Sequence, residues 1–174
     1  DYTDGLALHA IEMVFTYLEK SYNGDPLARE KMHNASCIAG MAFTNAFLGL
    51  NHSMAHKLGA ECHIPHGRAN AILLPYVIKY NATKPKIARR VGLCSADTPI
   101  SEAVDCLVKA IRELMTVTER PLCIKDCGVS EAEFMSKVDE LSYKAFEDQC
   151  TTANPVYPLV SEIKELYREA YYGE

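Results

Sequence analysis

At 174 residues, with 48% hydrophobic content and a formal net charge of −5, the chain is long enough for one domain with a real core. It contains no run of Lys or Arg that would track a phosphate backbone, which excludes nucleic acid as an expected partner. The apolar stretches fall short of the roughly 20 residues a membrane span needs and no signal-peptide layout opens the chain, so a cytoplasmic protein away from the membrane is expected.

Helical periodicity begins almost at once, with Ala7, Ile11, Val14, Phe15, Leu18 and Tyr22 on one face. The chain starts at Asp1 rather than Met, which reads as a processed or truncated product. Asn23 and Gly24 break this helix, and Asp25 with Pro26 supplies an N-cap and first-turn proline for a second, expected to reach Leu50. The small residues between Gly40 and Ala46 predict close helix approach and a central helix buried on most sides. A short helix is expected from His52 to Leu58, then a turn from Glu61 to Gly67 carrying Pro65, then an apolar helix from Ala69 to Tyr80 kinked at Pro75. Thr98 and Pro99 open the next, whose stripe is Ala103, Leu107, Ile111, Leu114 and Met115. Ser130 and Glu133 have capping-box spacing ahead of Phe134, Val138, Leu141 and Ala145, and Pro158 starts a last helix with Leu159, Ile163, Leu166 and Ala170. Nothing alternates as strands do, so the expected fold is all-α, a single bundle-like domain over residues 1–174 with about seven helices.

The seven cysteines are odd in number and scattered through apolar helical segments, the pattern of reduced thiols rather than a disulfide framework. Cys123 and Cys127 form a C-x3-C pair with no second pair to complete a zinc ribbon, and read as ordinary thiols.

Four of six histidines, His52, His56, His63 and His66, fall within fifteen residues. His52 and His56 are four apart and so share a helix face one turn apart, which is metal-ligand spacing. His66 lies beyond Gly59, between Pro65 and Gly67, where a turn can bring its ring back toward that face. Imidazoles suit zinc or ferrous iron, and a set of two or three needs a carboxylate or water to complete it. An Asp or Glu four residues before a His occurs nowhere in the chain. Glu30 and His33 have i, i+3 spacing but read as surface groups, and Asp4 and His9 point in different directions. On the residues alone, satisfied helix histidines and a metal site both stay open.

The run from Ala35 to Asn81, with its H-x3-H-x9-H-G core, resembles the signature of the iron-containing (group III) alcohol dehydrogenases, most nearly the alcohol dehydrogenase module of bifunctional aldehyde-alcohol dehydrogenases. The likeness extends through Asp1 to Asp4, Ala28 to Met32, Asn154-Pro155 and Tyr157 to Leu159, and so covers essentially the whole chain. It implies the helical metal-binding domain of the dehydroquinate synthase-like fold, whose partner is an N-terminal nucleotide-binding domain holding NAD(P). It further implies His52 and His66 as metal ligands, His56 facing nicotinamide and substrate without binding metal, Phe43 lining the substrate pocket and Cys150 at its rim. His9, His33 and His63 match no family ligand. The other two ligands belong to a D-x3-H motif, which this chain lacks, as it lacks a Gly-rich pyrophosphate loop.

The activity so implied is interconversion of primary alcohols and aldehydes with NAD(H), helped by Fe2+, or Zn2+, as a Lewis acid, with His56 relaying the alcohol proton. A homo-oligomer and a small alcohol or aldehyde substrate are expected. The isolated chain is expected to bind no NAD and to be inactive. Two rival readings are a helical interaction or oligomerisation module with incidental histidines, and a small zinc protein using His52, His56 and His66 together.

Overall fold

The structure is a computed structural model that describes residues 1–82 and 86–173. Its elements are α1 (Tyr2–Tyr22), α2 (Pro26–Ala46), α3 (Leu50–Cys62), α4 (His66–Tyr80), α5 (Lys86–Arg90), α6 (Ile100–Val117), α7 (Glu131–Phe146) and α8 (Val160–Tyr172), with 3-10 turns at Lys125–Cys127 and Gln149–Ala153. The described residues form no strand, as the helical periodicity requires. Among them no helix is long and apolar enough to cross a membrane. Two compact units result, one of Asp1–Phe47 with Ala82–Glu119, the other of Leu48–Asn81 with Arg120–Glu174.

The first unit is built on a hairpin of α1 and α2. Gly24, at φ +93°, makes the reversal between them, and the Asp25 carboxylate accepts the Ala28 N–H at 2.9 Å, the N-cap its side chain predicts. The expectation that α2 is buried on most sides is wrong. Its buried residues are Ala28, Ala35 and Ala42, one per two turns, while Met41, Phe43 and Phe47 are exposed. Small residues at heptad spacing make a narrow seam for one close neighbour, which is a different thing from burial all round. The helix also ends at Ala46, short of Leu50, because Phe47 turns to φ 68°. The short helix α5 has no counterpart in the sequence reading. In α6 the stripe gains Val104, Val108 and Ala110 beside Ala103, Leu107 and Met115.

In the second unit, α3 and α4 are longer than their sequence signals suggest, and only His63–Pro65 separates them. His63, at φ 54°, ends α3 in the left-handed conformation, and Pro65 is the N-cap of α4, so His66 is a helical residue rather than part of a turn. Helix α4 continues through Pro75, which is buried. Ser130 caps α7 by accepting the Glu133 N–H at 3.3 Å, and the Glu133 carboxylate pairs with Lys137 at 3.1 Å instead of closing the box. Helix α8 begins at Val160, where the Leu159 N–H donates to Glu162 at 2.7 Å. Leu159 itself is exposed, against expectation.

The core of this unit is aromatic and aliphatic. Phe134 stacks on Tyr171 with ring centres 4.7 Å apart and meets Tyr167 edge-on at 6.4 Å. Leu50, Met54 and Leu58, four apart on α3, are fully buried. Buried tyrosine hydroxyls need partners: Tyr167 donates to the Met54 carbonyl at 2.7 Å and Tyr171 to that of Val129 at 3.0 Å. Asn154 fixes the start of α3, accepting the Leu50 N–H at 3.1 Å while exchanging amide bonds of 2.9 and 2.7 Å with Asn81. A Cβ at Gly49 would lie 3.0 Å from the Asn154 amide oxygen, so the close approach needs glycine there.

Candidate metal centre

Burying Leu50, Met54 and Leu58 on one face of α3 turns His52 and His56 toward another, where both are partly exposed. The three-residue reversal then delivers His66 at the first position of α4. The three rings converge, with centre separations of 6.1 Å for His52 and His56 and 5.5 Å for each of these with His66, the latter stacked at 16° on His56. Two imidazoles on one ion, each at about 2.1 Å, have ring centres roughly 5 Å apart, so the spacing of His52 and His66 fits a shared ion. Burial holds the His52 imidazole below its ordinary value of 6.5, and His66 and His56 press the same way, so the neutral ring that can donate a lone pair prevails at neutral pH. His66 is steadied by Asn70, whose amide lies 3.2 Å from Nε2 and donates to the His66 carbonyl at 3.1 Å.

One residue of the cluster escaped the sequence reading. Asp148, N-cap of the 3-10 turn Gln149–Ala153, has a side chain only 8% exposed and collects four donors. Its Oδ2 receives Lys57 at 2.8 Å and His56 Nδ1 at 3.3 Å, and its Oδ1 receives the Cys150 N–H at 2.9 Å and the Ser53 hydroxyl at 3.5 Å. Burial alone would raise this carboxyl, but the Lys57, Cys150 and His56 hydrogen bonds outweigh it and hold the group well below the usual carboxylate range. A lysine whose side chain is only 26% exposed, on the helix that buries Leu50, Met54 and Leu58, needs a counter-charge. Lys57 was the one signal in the sequence that pointed to such a residue.

Among the described residues, the trio of possible metal donors whose atoms all lie within 4.8 Å of one another is His56, Asp148 and Cys150. Its chemistry is poor for a cation: the Asp148 oxygens are already taken, with an ammonium among their partners, and burial followed by the Asp148 contact pushes the Cys150 thiol up. His52 and His66 carry no such competing partner of that charge, and fit an ion better. Phe43, on α2 in the first unit, is 46% exposed, and Cys150, in the second, is buried. His9, His33 and His63 are exposed, as is Glu30. All seven cysteines are free, and Cys127 reaches the Cys123 carbonyl at 3.8 Å rather than a partner thiol.

The comparisons agree with one another. The aldehyde-alcohol dehydrogenase 2 of Entamoeba histolytica is 49% identical over 191 residues, taking in 99% of this chain and 22% of its own length. The NADPH-dependent butanol dehydrogenase of Clostridium saccharobutylicum is 49% identical over 177 residues, 99% of this chain and 45% of that protein. The iron-containing alcohol dehydrogenase of Thermococcus thioreducens superposes with a TM-score of 0.87 at 37% identity, covering all of this chain and 45% of its own. The chain thus spans between about a fifth and a half of the relatives it matches. The sequence model described as the Fe-containing alcohol dehydrogenase family, C-terminal, matches residues 1–171, and the chain belongs to that family.

Proposed function

We propose that this chain supplies the metal-binding part of an alcohol dehydrogenase that interconverts primary alcohols and aldehydes with NAD(H). The observation that carries the reading is the convergence of His52, His56 and His66 on one side of the α3–α4 pair, with ring centres 5.5 to 6.1 Å apart. His52 and His66 would hold the ion, Fe2+ before Zn2+ on the family's description, together with ligands from a D-x3-H motif outside this chain. When bound, the ion supplies Lewis-acid stabilisation of negative charge developing on the alcohol oxygen. The overall change, primary alcohol and NAD+ to aldehyde, NADH and a proton, leaves the hydroxyl proton to be placed, and His56 would take it and pass it to solvent. Side-chain exposure of 38% gives His56 that route to water.

One relative is named as NADPH-dependent, which makes NADP(H) the alternative carrier. Without a nucleotide-binding partner and the two remaining ligands, the 174-residue chain alone is inactive on this reading. The decisive measurement is metal content of the full-length protein. His52→Ala and His66→Ala should each reduce bound iron far below one per chain and remove NAD-dependent ethanol oxidation, while His63→Ala retains both. Stoichiometric iron in both ligand variants would reject the assignment and return the histidines to the interaction-module reading.

A further inference from the structure

A proton relay needs more than a histidine nearby: one ring nitrogen must carry a lone pair, and the ring must point it the same way in every molecule. An isolated neutral imidazole divides between two tautomers and rotates about its side-chain bonds. His56 is under neither freedom, because its Nδ1 faces the Oδ2 of Asp148 at 3.3 Å.

An ionised carboxylate only accepts hydrogen bonds, so the nitrogen facing it must be the protonated one. Asp148 is kept ionised by the ammonium of Lys57 at 2.8 Å and the Cys150 N–H at 2.9 Å. It is also kept still. The 3-10 turn that carries it is pinned by Thr151, whose hydroxyl lies 2.7 Å from the Ala145 carbonyl and 2.8 Å from the Ser53 hydroxyl. Ser53 and Lys57 stand on α3 beside His56 itself, so ring and carboxylate are referred to the same helix.

We propose that Asp148 is the positioning residue of this site, locking His56 in the Nδ1–H tautomer so that Nε2 is left as the proton acceptor. This rests on the reading of His56 as the relay. Lys57 and the Cys150 amide serve it indirectly, by making Asp148 an acceptor and nothing else. Asp148→Asn is nearly isosteric, but its amide can offer an N–H to Nδ1, which reverses the tautomer preference.

In the full-length enzyme, Asp148→Asn should lower kcat on the order of 10²- to 10⁴-fold, the range from a lost general base to a histidine held in the wrong tautomer, with KM for the alcohol changed less than about twofold. In a His56→Ala background the same substitution should cost nothing further, whereas a merely structural role would lower kcat again. Ring-nitrogen NMR of histidine-labelled protein, with His56 assigned by the signals lost in His56→Ala, should show Nδ1 protonated in the wild type and Nε2 protonated in Asp148→Asn. A kcat loss that persists without His56, or a wild-type ring protonated at Nε2, overturns the proposal. If His56→Ala itself leaves kcat unchanged, the relay falls and the proposal with it. A silent Asp148→Asn beside a slow His56→Ala removes Asp148 alone.

Discussion

The two units bury different things. Among the described residues, the twelve largest fully buried side chains, Tyr76, Phe134, Tyr167 and Tyr171 included, all belong to the second unit, whereas more than half of the apolar residues buried in the first are alanines. The histidine cluster and Asp148 stand on the unit with the large core. Large interlocked side chains in single rotamers define backbone positions tightly, and a site that must hold rings a few ångströms apart needs such support. The alanine seam of α1 and α2 provides close approach with little side-chain interlock, and leaves Met41 and Phe43 on α2, and Phe47 just past its end, exposed.

Phe134→Ala tests that contrast most severely. It removes a fully buried ring stacked on Tyr171 and should cost about 3–5 kcal/mol, read as a drop in denaturant midpoint with loss of amide protection in α7 and α8. Protection lost equally in α1 and α2 would erase the distinction between the units. Ala35→Leu probes the seam by the opposite operation, since Ala35 is 1% exposed and nothing there can be truncated usefully. Overpacking should cost about 1–3 kcal/mol, with protection falling in α1 and α2, and a neutral result would show the seam to be loose. The mildest change, Tyr167→Phe, keeps the ring and deletes only the 2.7 Å bond to the Met54 carbonyl. A loss of about 1 kcal/mol is expected. Bound iron per chain in the full-length variant would report whether α3 needs that tie to present its histidines.

How much of this was legible beforehand depended on sequence separation. The all-α class followed from periodicity, and the cluster from His52, His56 and His66, because fifteen residues on two short-linked helices leave few arrangements. Asp148 lies 92 residues from His56, and no spacing rule links an N-cap aspartate to a ring that far away. The error over α2 has a different source. Small residues signal that some neighbour comes close, but carry no count of neighbours, and here Ala28, Ala35 and Ala42 face one side only. Helix ends were misplaced where backbone conformation decided them, as at Phe47 and His63, neither of which is glycine although both adopt positive φ.

The brevity of the His63–Pro65 reversal constrains evolution and engineering in a particular way. A residue inserted between His52 and Leu58 would turn everything on one side of it by about 100° around the helix axis. Either the imidazoles or the buried leucines would then lose their facing, and three linking residues offer no slack to absorb the change. A substitution in this segment alters one side chain, whereas an indel re-aims the site or the core face as a whole.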